Sequence, residues 1–417
     1  MRILLWHGYL LGGTGSNVYT RALAREWSRA GHDVTVLSQE PQPEAYDLGG
    51  AATARPDVDG FLPVFVLDRY EGYEVQRLPE APRERVERWV AANAAAVREC
   101  LPADFVYANH VLLGGPVGAA AGAPYVVKAH GSELEYAMRG NEQLSAWGAE
   151  ALAGARATVV GSEHIRTVVA EVCGHTDRVL EVPPGVDVEL WRPEARGDAL
   201  AALLAAAALD PPNPGNAEER LPDEGNAGRL EAFLAADRPT VVYFGKLIQQ
   251  KGVDVLLRSL RGLDARAVIV GFGPERAALE ALARAEGVEA LFTGPLEHRH
   301  LRHLLALADA CVVPSVFPEA FGMVAAEAAA AGCPPIVARH SGLAEIAVGL
   351  EEDLPPALAR LVSSPTGDVG ALHERLATLL ALGADDREAL RAGVRRAVEA
   401  RWSWESVASR LAAIGAG

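Results

Sequence analysis

The sequence predicts an α/β protein made of two halves, each a parallel sheet flanked by helices. Short apolar runs alternate with helical stretches twice along the 417 residues, first up to Val182 and again from Thr240. Between the two series lies Val182-Pro183-Pro184-Gly185-Val186-Asp187, whose two prolines and glycine suit a stiff interdomain link. The length is enough for two domains of ordinary size, each with its own core.

In the first half, strands are expected at Ile3–Trp6, Asp33–Leu37, Phe105–Asn109, Tyr125–Ala129, Thr158–Gly161 and Val179–Val182. Residues 17–30 have helical periodicity and stop at Gly31. Gln39 to Pro79 breaks the alternation. It is rich in Pro, Gly and Asp, then turns aromatic at Phe61-Leu62-Pro63-Val64-Phe65 and Asp68-Arg69-Tyr70-Glu71-Gly72-Tyr73, and reads equally as an ordered wall over a binding cleft or as a packed surface excursion. Asp198 to Ala236 is an Ala-rich helical insertion with a mobile centre at residues 210–216. The second half restarts with strands at Thr240–Phe244, Ala267–Val270, Ala290–Phe292, Ala310–Val313 and Ile336–Ala338. The tail, Arg387 to Ile414, is expected to be helical.

Half of the residues are apolar and 23% are charged, the balance of a globular protein. A net charge of −16 argues against nucleic acid or an anionic membrane as the main partner. Cys100, Cys173, Cys311 and Cys333 lie far apart in no metal spacing, which suggests reduced thiols in a cytoplasmic setting. Met1-Arg2-Ile3 begins a strand rather than a secretory signal. The long uncharged run from Val111 to Val127 carries four glycines and two prolines, so no transmembrane segment is expected; peripheral membrane contact stays open.

The chemistry concentrates around Pro314 to Glu327. A buried strand at 309–313 runs into a loop, then into the Ala-rich helix 325–331, which stops at Gly332. A loop entering a helix offers unpaired amides and the positive end of a dipole, here at Phe321, Gly322, Met323 and Val324. Glu319 in the loop and Glu327 in the helix would repel an anion, so they are better suited to gripping the hydroxyls of a sugar and a ribose. Gly245-Lys246-Leu247-Ile248-Gln249-Gln250-Lys251-Gly252 leaves the first strand of the second half, and its two lysines could hold a diphosphate and stabilise it as a leaving group. Gly271-Phe272-Gly273-Pro274-Glu275 ends the next strand, with glycines that let backbone approach a nucleotide. In the first half, Gly12-Gly13-Thr14-Gly15-Ser16-Asn17 precedes a helix as a phosphate loop, with Gly13 the expected contact. His130, before Gly131-Ser132-Glu133, stands at a strand's carboxyl end.

These motifs resemble the retaining GT-B glycosyltransferases, family 4 (glycosyl transferases group 1). The resemblance rests on Glu319 and Glu327 as E-x7-E, on Pro184-Gly185-Val186-Asp187 within the P-x-G-V-D segment, on Lys251-Gly252, and on Gly271-Phe272-Gly273-Pro274-Glu275. It covers most of the chain except about residues 39–79 and 198–236. One departure stands out: Lys246 occupies the place where the family usually has arginine, which removes a bidentate fork.

The resemblance implies two Rossmann-like domains facing each other across a cleft. The domains would be 1–190 on the acceptor side, a linker and insertion at 191–238, 239–395 on the donor side, and a helix at 396–417 crossing back. It implies transfer of a sugar from a UDP- or GDP-sugar to an acceptor hydroxyl, with retention and with no cofactor or metal. Lys246, Lys251, Glu319 and His130 would be the catalytic groups, His130 contacting the sugar from the facing domain. Gly13, Gly245, Gly271, Gly273, Phe321 to Val324 and Glu327 would hold the nucleotide, with a base near Phe292-Thr293-Gly294. Glu133 and Arg166 would lie on the acceptor side. The partners are then a nucleotide sugar and a hydroxyl acceptor, not nucleic acid.

Two other readings compete. A nucleotide-sugar epimerase on the same fold would need acid–base carboxylates in the first half, where Glu133 is the one that fits. A nicotinamide oxidoreductase would use Gly13-x-Gly15-x-x-Val18 with Glu40 on a ribose, but that pattern lacks the third glycine and begins too far beyond the strand. Asp57-Val58-Asp59 has the form of a metal triplet, yet it lies in the irregular stretch and not after a strand.

Overall fold

The computed structural model describes residues 1–13, 15–66 and 70–417, and in it the chain divides into two compact units. The first is Met1–Gly185 joined by Trp404–Gly417; the second is Val186–Ser403. Thr14 of the glycine-rich loop and Asp68-Arg69 of the aromatic stretch lie outside the described residues.

The strands of the first unit are β1 (Arg2–Trp6), β2 (Asp33–Leu37), β3 (Ala52–Ala54), β4 (Phe61–Val64), β5 (Glu74–Arg77), β6 (Phe105–Asn109), β7 (Tyr125–Lys128), β8 (Ala157–Val160) and β9 (Val179–Glu181). Seven of them form a sheet in the order β3-β2-β1-β6-β7-β8-β9, every pair parallel. The central strands read as continuous apolar runs because helices cover both faces. Leu5 sits between Val36 and Tyr107 in register, and all three are fully buried. Strand order reverses between β1 and β6. Ligands of open parallel sheets bind beyond the strand carboxyl ends at such a switch point.

The second unit repeats the plan with β10 (Thr240–Phe244), β11 (Arg266–Val270), β12 (Glu289–Phe292), β13 (Ala310–Val313), β14 (Pro335–Ala338) and β15 (Ser363–Ser364). Their order is β12-β11-β10-β13-β14-β15, again all parallel. The switch point here lies between β10 and β13. The loops leaving those two strands are the Lys246–Lys251 loop and the Glu319 loop.

The structure departs from the sequence reading in four places. Residues 39–79 are not all loop: β3 joins the edge of the main sheet, and β4 and β5 pair with each other. Residues 191–238 are no separate insertion. Their helices Arg196–Ala207 and Asn226–Leu234 place Ala199, Leu203, Leu230 and Leu234 in the second unit's core. The centre of that segment is tied down, with the Asn213 amide donating to the carbonyls of Glu218 and Pro222 at 3.0 and 3.1 Å. Finally, the tail is two helices, Ala384–Arg401 and Trp404–Ala416, broken at Trp402-Ser403.

The break marks the change of unit. Trp402 packs edge-on against Phe321 of the second unit at 5.7 Å between ring centroids, whereas Trp404 packs against Tyr19 of the first at 5.3 Å. Both rings are buried, so each fixes one side of the break by apolar burial.

Candidate functional site

In the second unit, the two switch-point loops are bonded to each other. Val316 N–H donates to the Gln250 carbonyl at 2.9 Å. Gly252 holds φ +62° with its α-carbon against the Pro314 carbonyl, where a Cβ would come within 2.1 Å of the oxygen. Any side chain there would push the lysine loop off its neighbour. The next strand end is held as tightly: a Cβ on Gly271, at φ +140°, would meet the Gly245 carbonyl at 1.8 Å. Leu247 N–H then donates to the Phe272 carbonyl at 2.7 Å. Gly245, Gly252, Gly271 and Gly273 thus join the ends of β10, β11 and β13 into one backbone platform.

On that platform Lys251 Nζ bonds the Glu319 carboxylate, which also accepts from Ser315 Oγ at 2.6 Å. The Glu319 amide donates to Ser341 Oγ at 2.9 Å. His340 Nε2 lies 2.7 Å from the Ser315 carbonyl and therefore carries the proton there, so His340 Nδ1 accepts from Ser341 Oγ at 2.9 Å. The ring fixes the backbone of Glu319 and one oxygen, Oε1, of its carboxylate. Lys246 is exposed, with no ion-pair partner for its ammonium among the described residues. The helix Met323–Ala330 begins at Gly322. Its first amides, at Met323 and Val324, have no earlier turn to bond and are partly exposed.

Glu327 differs from Glu319. It is 7% exposed and its carboxylate has no hydrogen-bond partner among the described residues. Burial without a donor pushes its pKa up to about 8. A buried, unsatisfied carboxylate is costly and calls for donors that the protein does not supply. Paired hydroxyls would meet that need.

The first unit brings a different set to its switch point. His7 follows β1, His110 follows β6 and His130 follows β7. Ring centroids are 6.2 Å apart for His7 and His110, and 4.6 Å for His110 and His130. Phe65 lies 5.0 Å from His110, and the Tyr9 hydroxyl donates to the Pro63 carbonyl at 3.0 Å, so the aromatic part of residues 61–65 packs over this cluster. His7 donates from Nε2 to Asn17 Oδ1 at 2.7 Å, and the Asn17 amide bonds the Gly12 carbonyl. Burial, reinforced by His110, holds the His7 pKa down at about 3. Beneath the cluster, Lys128 is buried with Nζ 5.3 Å from the Tyr19 ring centroid; burial lowers its pKa to about 7.

Glu133 is fully buried. Its carboxylate accepts from the amides of His130 at 2.9 Å and Val111 at 3.2 Å, and from His110 Nδ1 at 3.2 Å. Burial alone would raise its pKa, but the charge and hydrogen bond of His110, helped by the amides, hold it below the usual value. Glu133 therefore ties the loops after β6 and β7 together, and its oxygens are occupied by protein donors.

Arg166 does not join the cluster. Its guanidinium bonds Glu163 at 2.8 Å and the Val179 carbonyl at 2.5 Å, at the amino end of β9 rather than the carboxyl edge. Glu40 accepts from the amides of Leu11 and Gln42 at 3.0 and 3.2 Å and so braces the loop after β1. Asp57 accepts from the Asp59 amide at 3.0 Å within a turn. His7, Asn109, Lys128, Ser315, His340 and Ser341 are site neighbours that sequence reasoning missed. The available signal was their position at or just beyond strand carboxyl ends.

Residues 13–190 match the family model described as Glycosyltransferase Family 4, and residues 230–396 match glycosyl transferases group 1. A D-inositol 3-phosphate glycosyltransferase of Xylanimonas cellulosilytica is 28% identical over 437 residues, covering 95% of this chain and 90% of the relative. The GDP-mannose-dependent alpha-(1-6)-phosphatidylinositol monomannoside mannosyltransferase of Mycolicibacterium smegmatis is 29% identical over 73% of each chain. Among solved structures, Anabaena HepE in complex with UDP-glucose superposes with a TM-score of 0.70 at 16% identity, over 99% of this chain and 98% of that one. The last comparison speaks for the fold. Among the described residues no helix is long and apolar enough to cross a membrane.

Proposed function

Because this chain belongs to the glycosyl transferases group 1, a family 4-like group of GT-B glycosyltransferases, we propose that it moves a hexosyl group from a UDP- or GDP-sugar to an acceptor hydroxyl, with retention and without a metal ion. One observation carries the reading: Glu327, a buried carboxylate with no donor among the described residues, stands on the helix that follows the Glu319 loop, and Glu319 is paired with Lys251 of the other switch-point loop. A nucleoside diphosphate answers both features. Its ribose diol supplies the missing donors, and its phosphates supply an anion for Lys246, Lys251 and the first amides of the helix Met323–Ala330. Glu319, held by Ser315 and the Ser341–His340 pair, would bind hydroxyls of the transferred sugar.

In the reaction the anomeric carbon–phosphate oxygen bond breaks while the acceptor oxygen bonds to that carbon on the same face. The departing phosphate oxygen takes the acceptor proton. Charge grows on the diphosphate, so fixed ammonium groups are worth more in the transition state than before it. This electrostatic role is the one a metal would otherwise fill, and it supports metal-independent turnover. Relatives named as GDP-mannose-dependent and a structural neighbour bound to UDP-glucose keep both donor bases in view. His130 would accept a sugar hydroxyl. The epimerase alternative loses its candidate acid, because the Glu133 oxygens are spent on protein donors.

The test is a thermal-shift panel of UDP-, GDP-, ADP- and dTDP-sugars, followed by transfer assays with the stabilising donor. A ligand present at a hundred times its Kd adds about 2.7 kcal/mol to the folded state. If none of the four classes shifts the melting temperature, the reading is wrong.

A further inference from the structure

We propose that Asn109 is a positioning residue that locks His130 in a single tautomer, with the proton on Nε2 and the Nδ1 lone pair offered to a sugar hydroxyl. The inference deepens the proposed role of His130 and rests on that reading for the identity of the ligand. The tautomer itself follows from geometry alone.

His130 Nε2 lies 2.7 Å from Asn109 Oδ1, so one of the two atoms must donate. The orientation of the Asn109 amide decides which. Its Nδ2 faces the Trp6 carbonyl at 3.1 Å and Thr20 Oγ1 at 3.3 Å. The Trp6 carbonyl can only accept. The Thr20 hydroxyl already donates to the Ser16 carbonyl at 2.8 Å, so it too must accept from Asn109. Turning the amide over would set two oxygens against Oδ1 in a fully buried site. Oδ1 therefore faces His130, and Nε2 must carry a hydrogen. The neutral ring then has its lone pair on Nδ1, for which the described residues supply no partner.

The surroundings keep the ring neutral. His130 touches the His110 ring at 4.6 Å and the edge of Tyr19 at 5.2 Å. Burial lowers its pKa well below the ordinary value, and His110, Lys128 and His7 add to that in the same direction. The carboxylate of Glu133 is engaged with the His130 amide, the Val111 amide and His110. A lone pair in this position accepts a hydroxyl proton and repels an anionic oxygen. At this point the first unit thus selects a neutral hydroxyl over phosphate or carboxylate.

The experiment uses the whole protein with 15N-labelled histidine, comparing wild type with Asn109→Asp. Wild-type His130 is expected to show one protonated nitrogen, Nε2, throughout pH 5.5–8. An aspartate would favour the imidazolium. If it brought the ring's pKa near 7, only about one tenth of His130 would be neutral at pH 6. At saturating donor, turnover of the variant relative to wild type at the same pH should then fall about tenfold from pH 8 to pH 6. A wild-type ring protonated at Nδ1, or at both nitrogens at pH 6, would overturn the proposal whether or not the variant folds. So would a soluble Asn109→Asp protein whose histidine spectrum and pH–rate profile match wild type. If the spectra agree with the proposal but no nucleotide sugar is turned over, the glycosyltransferase reading fails and the tautomer stands.

Discussion

Under the proposed function, Glu327 would make nucleotide binding a proton-coupled event. With a pKa raised to about 8 by burial, its carboxyl is mostly protonated at neutral pH. A ribose diol donates its hydroxyl protons and needs the ionised carboxylate, so binding at pH 7 should release about 0.9 proton. Ionising the group at pH 7 costs about 1.4 kcal/mol, which makes the affinity tighten about fivefold between pH 7 and pH 8 and about tenfold by pH 9, where it levels off. Calorimetry at pH 7–9 in buffers of different ionisation enthalpy measures both quantities. Glu327→Gln cannot ionise, so its affinity should be weaker, by about tenfold or more at pH 8, and flat with pH. The same shift sets the sign of the stability profile. A folded-state pKa above the unfolded value contributes stability that is complete below the unfolded pKa near 4.5 and is lost as pH rises toward 8. Replacement by glutamine should remove that part of the slope. Nucleotide binding with no net proton release at pH 7, or a Glu327→Gln protein that binds like wild type, would refute the assignment.

Lys246→Ala and Lys251→Ala should each lower turnover by on the order of a hundredfold with little change in melting temperature; a melting loss matching the activity loss would make the loop structural. Lys246→Arg, which inserts the family's usual residue, should stay active, and a dead Lys246→Arg beside an active Lys246→Ala would reverse that expectation. Glu319→Ala should spare binding of the free nucleoside diphosphate, read by calorimetry, while lowering turnover of the full donor; equal loss of nucleotide affinity in the Glu319 and Glu327 variants would end the division of roles. Activity should persist in excess EDTA, and its abolition with rescue by Mg2+ or Mn2+ would mark a metal-dependent enzyme.

The central strands were legible because parallel strands buried on both faces appear as unbroken apolar runs. The edges were not. β15 is Ser363-Ser364, and β3 is Ala52-Thr53-Ala54, too short and too polar to stand out from loop. The helix Arg196–Ala207 read as part of an insertion because alanine on every face leaves no apolar stripe to reveal a packed side, and Asn226–Leu234 is only nine residues long. The tail shows another limit: its helical pattern does not reveal that Trp402 and Trp404 belong to different units. At the site, Glu319, Lys251 and the glycines were legible as a spaced pattern. Their supports, Ser315, His340 and Ser341, were not, since they carry no pattern and meet through long-range packing. Lys128 was hidden for a similar reason, as nothing in Tyr125-Val126-Val127-Lys128 reveals that a lysine ends its strand buried.

The two switch points divide the chemistry by charge. The second sheet delivers two lysines and a helix start to its reversal between β10 and β13, and on that helix stands Glu327, a buried carboxylate with no donor among the described residues. Such a set is suited to an anion that also carries hydroxyls. The first sheet delivers imidazoles, amides and phenols to its reversal between β1 and β6, with Lys128 buried beneath them. Burial keeps His7 and His130 neutral there, and Glu133 serves the backbone rather than a ligand. Neutral lone pairs and amides recognise hydroxyls and give an anion little. The same parallel-sheet plan, used twice, therefore ends in two different sets of side chains, and the proposed division between diphosphate and sugar hydroxyl rests on that difference. The difference lies in which side chains end the strands, not in the fold.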